Sequence, residues 1–344
     1  MPDLRIVDPC APRAYDTAQS LKGLGGTEAT ILRIAHALSA GAAIVIEQAG
    51  RTGMCRIDGI SFRPMDLSRQ SGGLIVVINA WKVALKLRRA NPDARIVLWL
   101  HVHPGRHNRQ MGARLREAGI GVICVSRSHA LALRGFLPVS PRIGHIYNPV
   151  ADDLHPDGTP RKPNRLVFAS SPHKGLAQVV ELFVHVRRAI PDMKLVIANP
   201  GYMRWPMPVL PEGVILRGAL DHPALIAELR RALCLFYPQD RFAETFGLVI
   251  AEANAVGCPA LLHGATGANL EIASSPDQCL DTLDPEAVVA RLMAWRTAGP
   301  QVRMRREFRL ASVAAVWRGL LAGQDVALPG EPGDAKPVGR RGIA

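Results

Sequence analysis

Phe242-Ala243-Glu244-Thr245-Phe246-Gly247-Leu248-Val249-Ile250-Ala251-Glu252-Ala253-Asn254-Ala255-Val256-Gly257-Cys258-Pro259 is the stretch that decides the fold. Glu244 and Glu252 stand eight residues apart. Thr245-Phe246-Gly247 between them reads as a tight loop, and the chain from Leu248 onward reads as a helix. Gly247 sits at the junction, where a missing side chain lets a ligand approach the backbone. The first N–H groups of such a helix have no internal partner and favour an anion, typically a phosphate. Glu252 lies just over one turn into the helix, so it can reach back toward the same ligand. Gly257 ends the helix, and Cys258 to Leu262 starts a buried strand. Carboxylates beside a phosphate accept hydrogen bonds from hydroxyls, such as those of a ribose and a sugar.

The rest of the chain repeats this unit. Leu4 to Asp8 reads as a first strand, and the loop after it ends Lys22-Gly23-Leu24-Gly25-Gly26-Thr27-Glu28. Thr27 is the expected N-cap of a helix with Ile31, Leu32, Ile34, Ala35 and Leu38 at helical spacing. Strand-like runs follow at 43–46, 74–79, 95–100 and 121–125, with helix-like segments between them, for example 81–89 and 109–118. Another helix begins at Val125-Ser126-Arg127-Ser128, and residues 142–147 form the last strand of this half. Residues 152–164, with prolines, glycines and mixed charges, read as a linker. The alternation restarts with strands at 166–169, 194–198, 214–218 and 232–237 and helices at about 177–189 and 221–231. Closing helices are expected at 284–297 and 303–321, the last able to cross back to the first half. Such alternation implies parallel sheets covered on both faces, with ligands at the C-terminal ends of the strands. The expected organisation is a first domain over 1–150, a second over 151–322 and a disordered tail over 323–344.

The opening stretch resembles the E-x7-E signature of the family 4 retaining glycosyltransferases, including its interposed Phe-Gly-Leu and trailing Ala-x-Ala-x-Gly-x-Pro. The resemblance extends over most of the chain, from Leu4 to Leu321. It implies an α/β fold of the GT-B class, two Rossmann-like domains facing each other across a cleft. It implies transfer of a sugar from a nucleotide-diphosphate donor to an acceptor hydroxyl with retention, in envelope polysaccharide or glycolipid synthesis. Glu252 then binds the ribose hydroxyls and Glu244 lies by the donor sugar. Gly25 and Gly26 resemble the family's Gly-Gly loop against the donor diphosphate and acceptor. His101, favoured over His103 because it directly follows an apolar run, resembles the strand-end His that contacts the donor sugar. Lys174-Gly175 matches the end of a phosphate-binding Arg…Lys-Gly element, but Ser170 or Ser171 stands where the Arg belongs. Serine offers one hydrogen bond and no charge, where Arg gives a bidentate fork. Arg217, Arg241 and His173 are the candidates for the missing charge. Phe246, Gly247 and Leu248 complete the donor-binding set. His263 to Ile272 resembles the family's Gly-rich turn ending in Glu-Ile, with a mainly structural role. The resemblance implies no resident cofactor and no metal. The competing expectation, which the missing Arg supports, is a non-catalytic GT-B protein that binds a sugar nucleotide or glycan.

With 48% apolar and 21% charged residues among 344, the chain has the composition of a folded protein of about two domains. No apolar run approaches the ~18 residues of a membrane helix, and the N-terminus lacks the apolar core of a signal peptide. The six cysteines show no metal or redox spacing and read as small buried hydrophobes in a reducing cytoplasm. Charge is unevenly placed: residues 1–150 hold 20 Lys and Arg against 9 Asp and Glu, and the remainder 22 against 20. A basic half suggests an anionic partner. Aromatics are 5% and no nucleic-acid motif occurs, so an anionic membrane surface fits better, where a lipid-linked glycan acceptor would be met. The expected location is cytoplasmic and peripheral on the inner membrane face.

Overall fold

The computed structural model describes residues 3–16, 24–199, 201, 209–264 and 266–324. Lys22-Gly23 of the first loop, Ala265 of the Gly-rich turn and residues 325–344 of the expected tail lie outside these residues. The first half contributes β1 (Leu4–Asp8), β2 (Ile44–Gln48), β3 (Cys55–Ile57), β4 (Ile60–Pro64), β5 (Leu74–Ile78), β6 (Ile96–Leu100), β7 (Gly121–Cys124) and β8 (Ile143–His145). They form one sheet in the order β3-β4-β2-β1-β5-β6-β7-β8, parallel except for the β3–β4 pair. β1, β2, β5 and β6 are buried along their whole length, as a sheet covered on both faces requires. The covering helices are α1 (Gly26–Leu38), α2 (Trp81–Ala90), α3 (Met111–Glu117) and α4 (Arg127–Phe136).

The second half contributes β9 (Arg165–Ala169), β10 (Lys194–Ala198), β11 (Val214–Gly218), β12 (Cys234–Tyr237), β13 (Ala260–His263) and β14 (Cys279–Leu280). These form a parallel sheet in the order β11-β10-β9-β12-β13-β14. Its helices are α5 (Leu176–Ala189), α6 (His222–Arg231), α7 (Leu248–Ala255), α8 (Asn269–Ile272) and α9 (Pro285–Thr297), and α10 (Leu310–Leu321) follows.

Four details depart from the sequence reading. Thr27 is not the N-cap of α1: Gly25 is, with an extended backbone whose carbonyl accepts from Ala29 N. Three residues on, the Glu28 carboxylate hydrogen-bonds back to the Gly25 backbone, the reciprocal half of a capping box. The β3–β4 hairpin was not expected, although Asp58-Gly59, with φ of 51° and 79°, is the usual dipeptide of a two-residue turn. α3 starts at Met111, after a 3-10 turn at Arg106–Asn108. α10 starts at Leu310, after a 3-10 turn at Arg306–Phe308.

The chain passes between the halves twice, side by side. Val150 pairs with Arg309 in a parallel bridge, Val150 N donates to Phe308 O at 2.8 Å and Leu310 N to Val150 O at 2.9 Å. Tyr147, Phe246 and Phe308 stack around this crossing at centroid separations of 4.8–6.1 Å. α10 then packs on α1 of the first half, where Trp317 meets Trp99 edge-on at 4.6 Å and Arg95 donates to Leu320 O. Trp317 is fully buried, so truncation leaves a large cavity. Trp317→Ala is expected to cost about 3–5 kcal/mol of unfolding free energy. Denaturant titration checks this, and a loss below ~1 kcal/mol would show that α10 is dispensable to the first sheet.

Candidate functional site

The C-terminal ends of the two sheets face one cleft, and the loops at those ends line it. α7 begins at Gly247, whose φ of 85° is left-handed; a Cβ there would stand 2.8 Å from Ile250 Cδ1. Gly247, Leu248, Glu244, Lys174, Ser170 and Ser171 share a cavity of about 200 Å³ with Gly25, Gly26 and Arg33 of α1. Glu252 and His222 close its far end, beside Ala198, Asn199 and Leu220. A larger space of about 1030 Å³ opens from the same residues toward Tyr15, Glu28, His101, His103, Asn148 and Arg241. Most of the residues singled out from sequence thus line one connected region.

Glu244 is 9% exposed and fully engaged. Lys174 Nζ reaches its two oxygens at 2.9 and 3.1 Å, and Tyr237 Oη donates to Oε1 at 2.8 Å. Lys174 also lies 4.5 Å from the Phe242 ring centroid. The loop that carries Glu244 is braced from two sides. Ala268 N, from the Gly-rich turn, donates to Glu244 O at 3.0 Å, which gives that turn the structural role expected of it. Thr245 is gripped by the first half: its hydroxyl donates to His101 O at 2.8 Å, and Ser126 Oγ donates to its carbonyl at 2.5 Å.

Glu252 is held by both halves. Oε1 accepts from Arg33 Nη2 at 3.0 Å and from His222 Nε2 at 2.9 Å. Burial alone would raise its carboxyl; the His222 hydrogen bond and the Arg33 charge outweigh this and keep its pKa below the usual glutamate value. At the opposite edge of the interface, Glu271 accepts from Arg127 N and Ser128 N at the start of α4, and from Tyr147 Oη. A carboxylate capping a helix N-terminus from the other half satisfies two amides that α4 cannot satisfy itself.

His101 follows β6 and is 7% exposed; its backbone N–H donates to Asn79 Oδ1 at 2.7 Å. Burial pushes its pKa down to about 3, so the ring is neutral at ordinary pH. Its Nε2 is buried and, among the described residues, lacks a hydrogen-bond partner. His103 stacks edge-on with His129 instead. Phe246 is 1% exposed, its ring fixed in the aromatic crossing, so only its backbone is available to a ligand. Arg217 is not in the cavity: it pairs with Glu228 beside Arg165. Arg241 lines the larger space, 3.4 Å from Asp240, with its side chain 76% exposed.

Residues 157–305 match the family model for glycosyl transferases group 1. No curated protein matches the chain. Among solved structures the chain is similar to a sucrose-phosphate synthase from Thermosynechococcus elongatus, with 16% identity, 93% of this chain and 100% of that chain covered, and a TM-score of 0.71. It is similar to AviGT4, a glycosyltransferase involved in Avilamycin A biosynthesis, at 16% identity, 94% and 99% coverage and a TM-score of 0.60. It is similar to Anabaena Alr3699/HepE in complex with UDP and glucose, at 14% identity, 93% and 99% coverage and a TM-score of 0.57. The fold is GT-B.

In this GT-B cleft, sequence reasoning missed Arg33, His222, Tyr237, Thr245 and Ser126. Arg33 and His222 carry no motif; what marks them is contact with Glu252 across 219 and 30 residues of chain. His129, like His101, is pushed by burial from 6.5 down to about 3. The unfolded chain therefore binds more protons than the folded one between these values, and stability falls as pH drops through that window. His129→Gln, which does not titrate, is expected to reduce the Tm lost between about pH 7 and about pH 5. Thermal melts at both pH values check this, and an unchanged pH dependence would contradict it.

Proposed function

We propose that the protein is a retaining glycosyltransferase that moves a sugar from a nucleotide-diphosphate donor to an acceptor hydroxyl. The observation that carries this reading is the meeting, in one cavity, of the α7 start at Gly247–Leu248, Lys174, and the buried carboxylates Glu244 and Glu252. The UDP and glucose held by the Anabaena protein support a nucleotide sugar as donor. The diphosphate meets the α7 amides and Lys174, and the ribose meets Glu252. Ser170 and Ser171 supply hydrogen bonds from the position where the family element carries an Arg.

The chemistry follows from the arrangement. The bond between the anomeric carbon and the diphosphate oxygen breaks, and its electron pair leaves with the diphosphate. The acceptor oxygen attacks from the same face, forms the new bond and gives its proton to the departing phosphate oxygen. Lys174 and the α7 amides stabilise the charge that develops there. In this reading Glu244 binds by the donor sugar and is not the nucleophile; Lys174 and Tyr237 orient its carboxylate. The two-carboxylate logic of glycosidases is therefore not used. His101, a neutral imidazole in the wall of the larger space, is the residue this reading places by the donor sugar. No divalent metal is required, since Lys174 and the helix amides meet the diphosphate and both carboxylates already face cations.

Glu252→Ala removes charged hydrogen bonds to the ribose and is expected to weaken nucleoside-diphosphate binding about tenfold to a hundredfold. Calorimetry on the folded variant checks this, and unchanged affinity would refute the role. Turnover with a nucleotide sugar should survive EDTA and give a product with the donor's anomeric configuration by NMR. Donor binding without any turnover would favour the second reading, a non-catalytic sugar-nucleotide binder. The observations behind that reading are the serines in place of Arg and the Lys174 charge engaged by Glu244.

The acceptor in this reading is a glycan or lipid-linked glycan of envelope polysaccharide or glycolipid synthesis. The enzyme works in the cytoplasm and docks its basic first half on the anionic inner face of a membrane. Lys82, Lys86 and Arg89 of α2 are exposed at i, i+4 and i+7, on one stripe, while Arg88 turns in to the carbonyls of Ala94, Pro92 and Ala118. No described helix is long and apolar enough to cross a membrane. Each basic group near such a surface contributes about 1 kcal/mol, so three give weak, salt-sensitive binding. Co-sedimentation with anionic vesicles at low salt, lost at high salt and absent with neutral vesicles, is the expected result. Equal pelleting with both vesicle types, or none, would remove the membrane from this reading.

A further inference from the structure

Arg33 belongs to the first domain, yet its charge is used in the second. It sits two turns into α1, where Ile31, Leu32, Ile34 and Ala35 are buried in the core of their own sheet. Nη1 donates to Pro149 O at 3.1 Å, at the crossing between the halves, and Nη2 reaches Glu252 Oε1 at 3.0 Å. Both side chains are nearly out of water, at 10% and 5% exposure. An arginine is rarely buried this far without a specific partner, and a buried ion pair adds little net stability over apolar packing. What the pair does give is orientation.

The hydrogen atoms can be placed by elimination. His222 Nε2 lies 2.9 Å from Glu252 Oε1 and 3.3 Å from Arg33 Nη2. A bare Nε2 lone pair facing a carboxylate would be repelled, so Nε2 carries a proton and donates to Glu252. The guanidinium has only donors, so its contact with His222 is two donors sharing one acceptor. Oε1 thus receives both partners, and the carboxylate is fixed with Oε2 left, among the described residues, for a ligand. α1 brings this clamp from the opposite wall of the same cavity that holds Ser170, Ser171 and Lys174.

We propose that Arg33 is a positioning residue that aims Glu252 at the donor's ribose diol. This rests on the glycosyltransferase reading above. The arginine does not replace the charge missing at Ser170 and Ser171: it acts at the nucleoside end of the cleft, through Glu252. Without the Arg33 side chain, Glu252 keeps only His222, and the ribose loses a preoriented acceptor. Diphosphate recognition, by Lys174 and the α7 amides, does not pass through Arg33.

The test measures binding of UDP, GDP, ADP and inorganic pyrophosphate by calorimetry to wild type, Arg33→Ala, Arg33→Lys, Glu252→Ala and the double variant Arg33→Ala/Glu252→Ala, each checked for folding by its melt. For whichever nucleotide binds wild type most tightly, Arg33→Ala should lose about tenfold or more in affinity. Pyrophosphate affinity should stay within about twofold of wild type, a separation that general loosening of the fold would not give. Arg33→Lys should recover part of the loss, since one ammonium can reach Glu252 or Pro149 but not both. In the Glu252→Ala background, removing Arg33 should cost less than about twofold. A further tenfold loss there would make Arg33 a direct ligand contact and overturn the positioning role. Wild-type nucleotide affinity in Arg33→Ala would overturn it too. Should Arg33→Ala not fold, Arg33→Lys decides alone: affinity equal to wild type for both probes contradicts the inference. Wild type binding none of the nucleotides overturns the glycosyltransferase reading, and this inference with it.

Discussion

Glu252 is a carboxylate almost out of water, and a buried charge survives only if oppositely charged or hydrogen-bonding groups meet it. One of its partners, His222, comes from its own domain and the other, Arg33, from across the cleft. That requirement fixes how close α1 and α7 stand, and with it the width of the cavity between them. Glu271 repeats the device at the other edge, where a second-domain carboxylate closes the N-terminus of α4. Thr245, tied to His101 and Ser126, lies between the two. The domains are therefore joined by polar contacts at the cleft and by aromatic packing at the chain crossing.

Charges in the smaller cavity of the cleft are paired. Lys174 meets Glu244 and Arg33 meets Glu252, so the smaller cavity holds two ion pairs, while Arg241 lines the larger space beside it. In the proposed reading, an incoming diphosphate draws Lys174 toward itself or shares it with Glu244. The uncharged donors, the α7 amides and the Ser170 and Ser171 hydroxyls, take a larger part than they would beside an arginine.

Much of this was legible in the sequence because it is local. The E-x7-E stretch contains its own loop, helix start and stop, so α7 and its glycine could be read from neighbouring residues. Alternation of apolar runs and helical periods pointed to two parallel sheets, and the structure has them apart from the β3–β4 pair. The Thr27 cap misled because a threonine ahead of an apolar stripe is the commoner signal, while Gly25 starts the helix with Glu28 reaching back to its amide. Phe246 looked like a ligand contact, but its ring packs on Tyr147 and Phe308, which lie roughly 60–100 residues away in either direction. Arg33 and Glu271 were invisible as partners because domain-to-domain contacts leave no period or spacing in the chain, and His222 because it meets Glu252 across 30 residues without a motif.

A crystal structure with the nucleoside diphosphate that binds best tests the central claim most directly. The account predicts the ribose hydroxyls on Glu252 Oε2, with Arg33 still on Oε1, and the diphosphate at the Gly247–Leu248 amides within reach of Lys174. A nucleotide seated elsewhere, or one whose ribose does not touch Glu252, would contradict it.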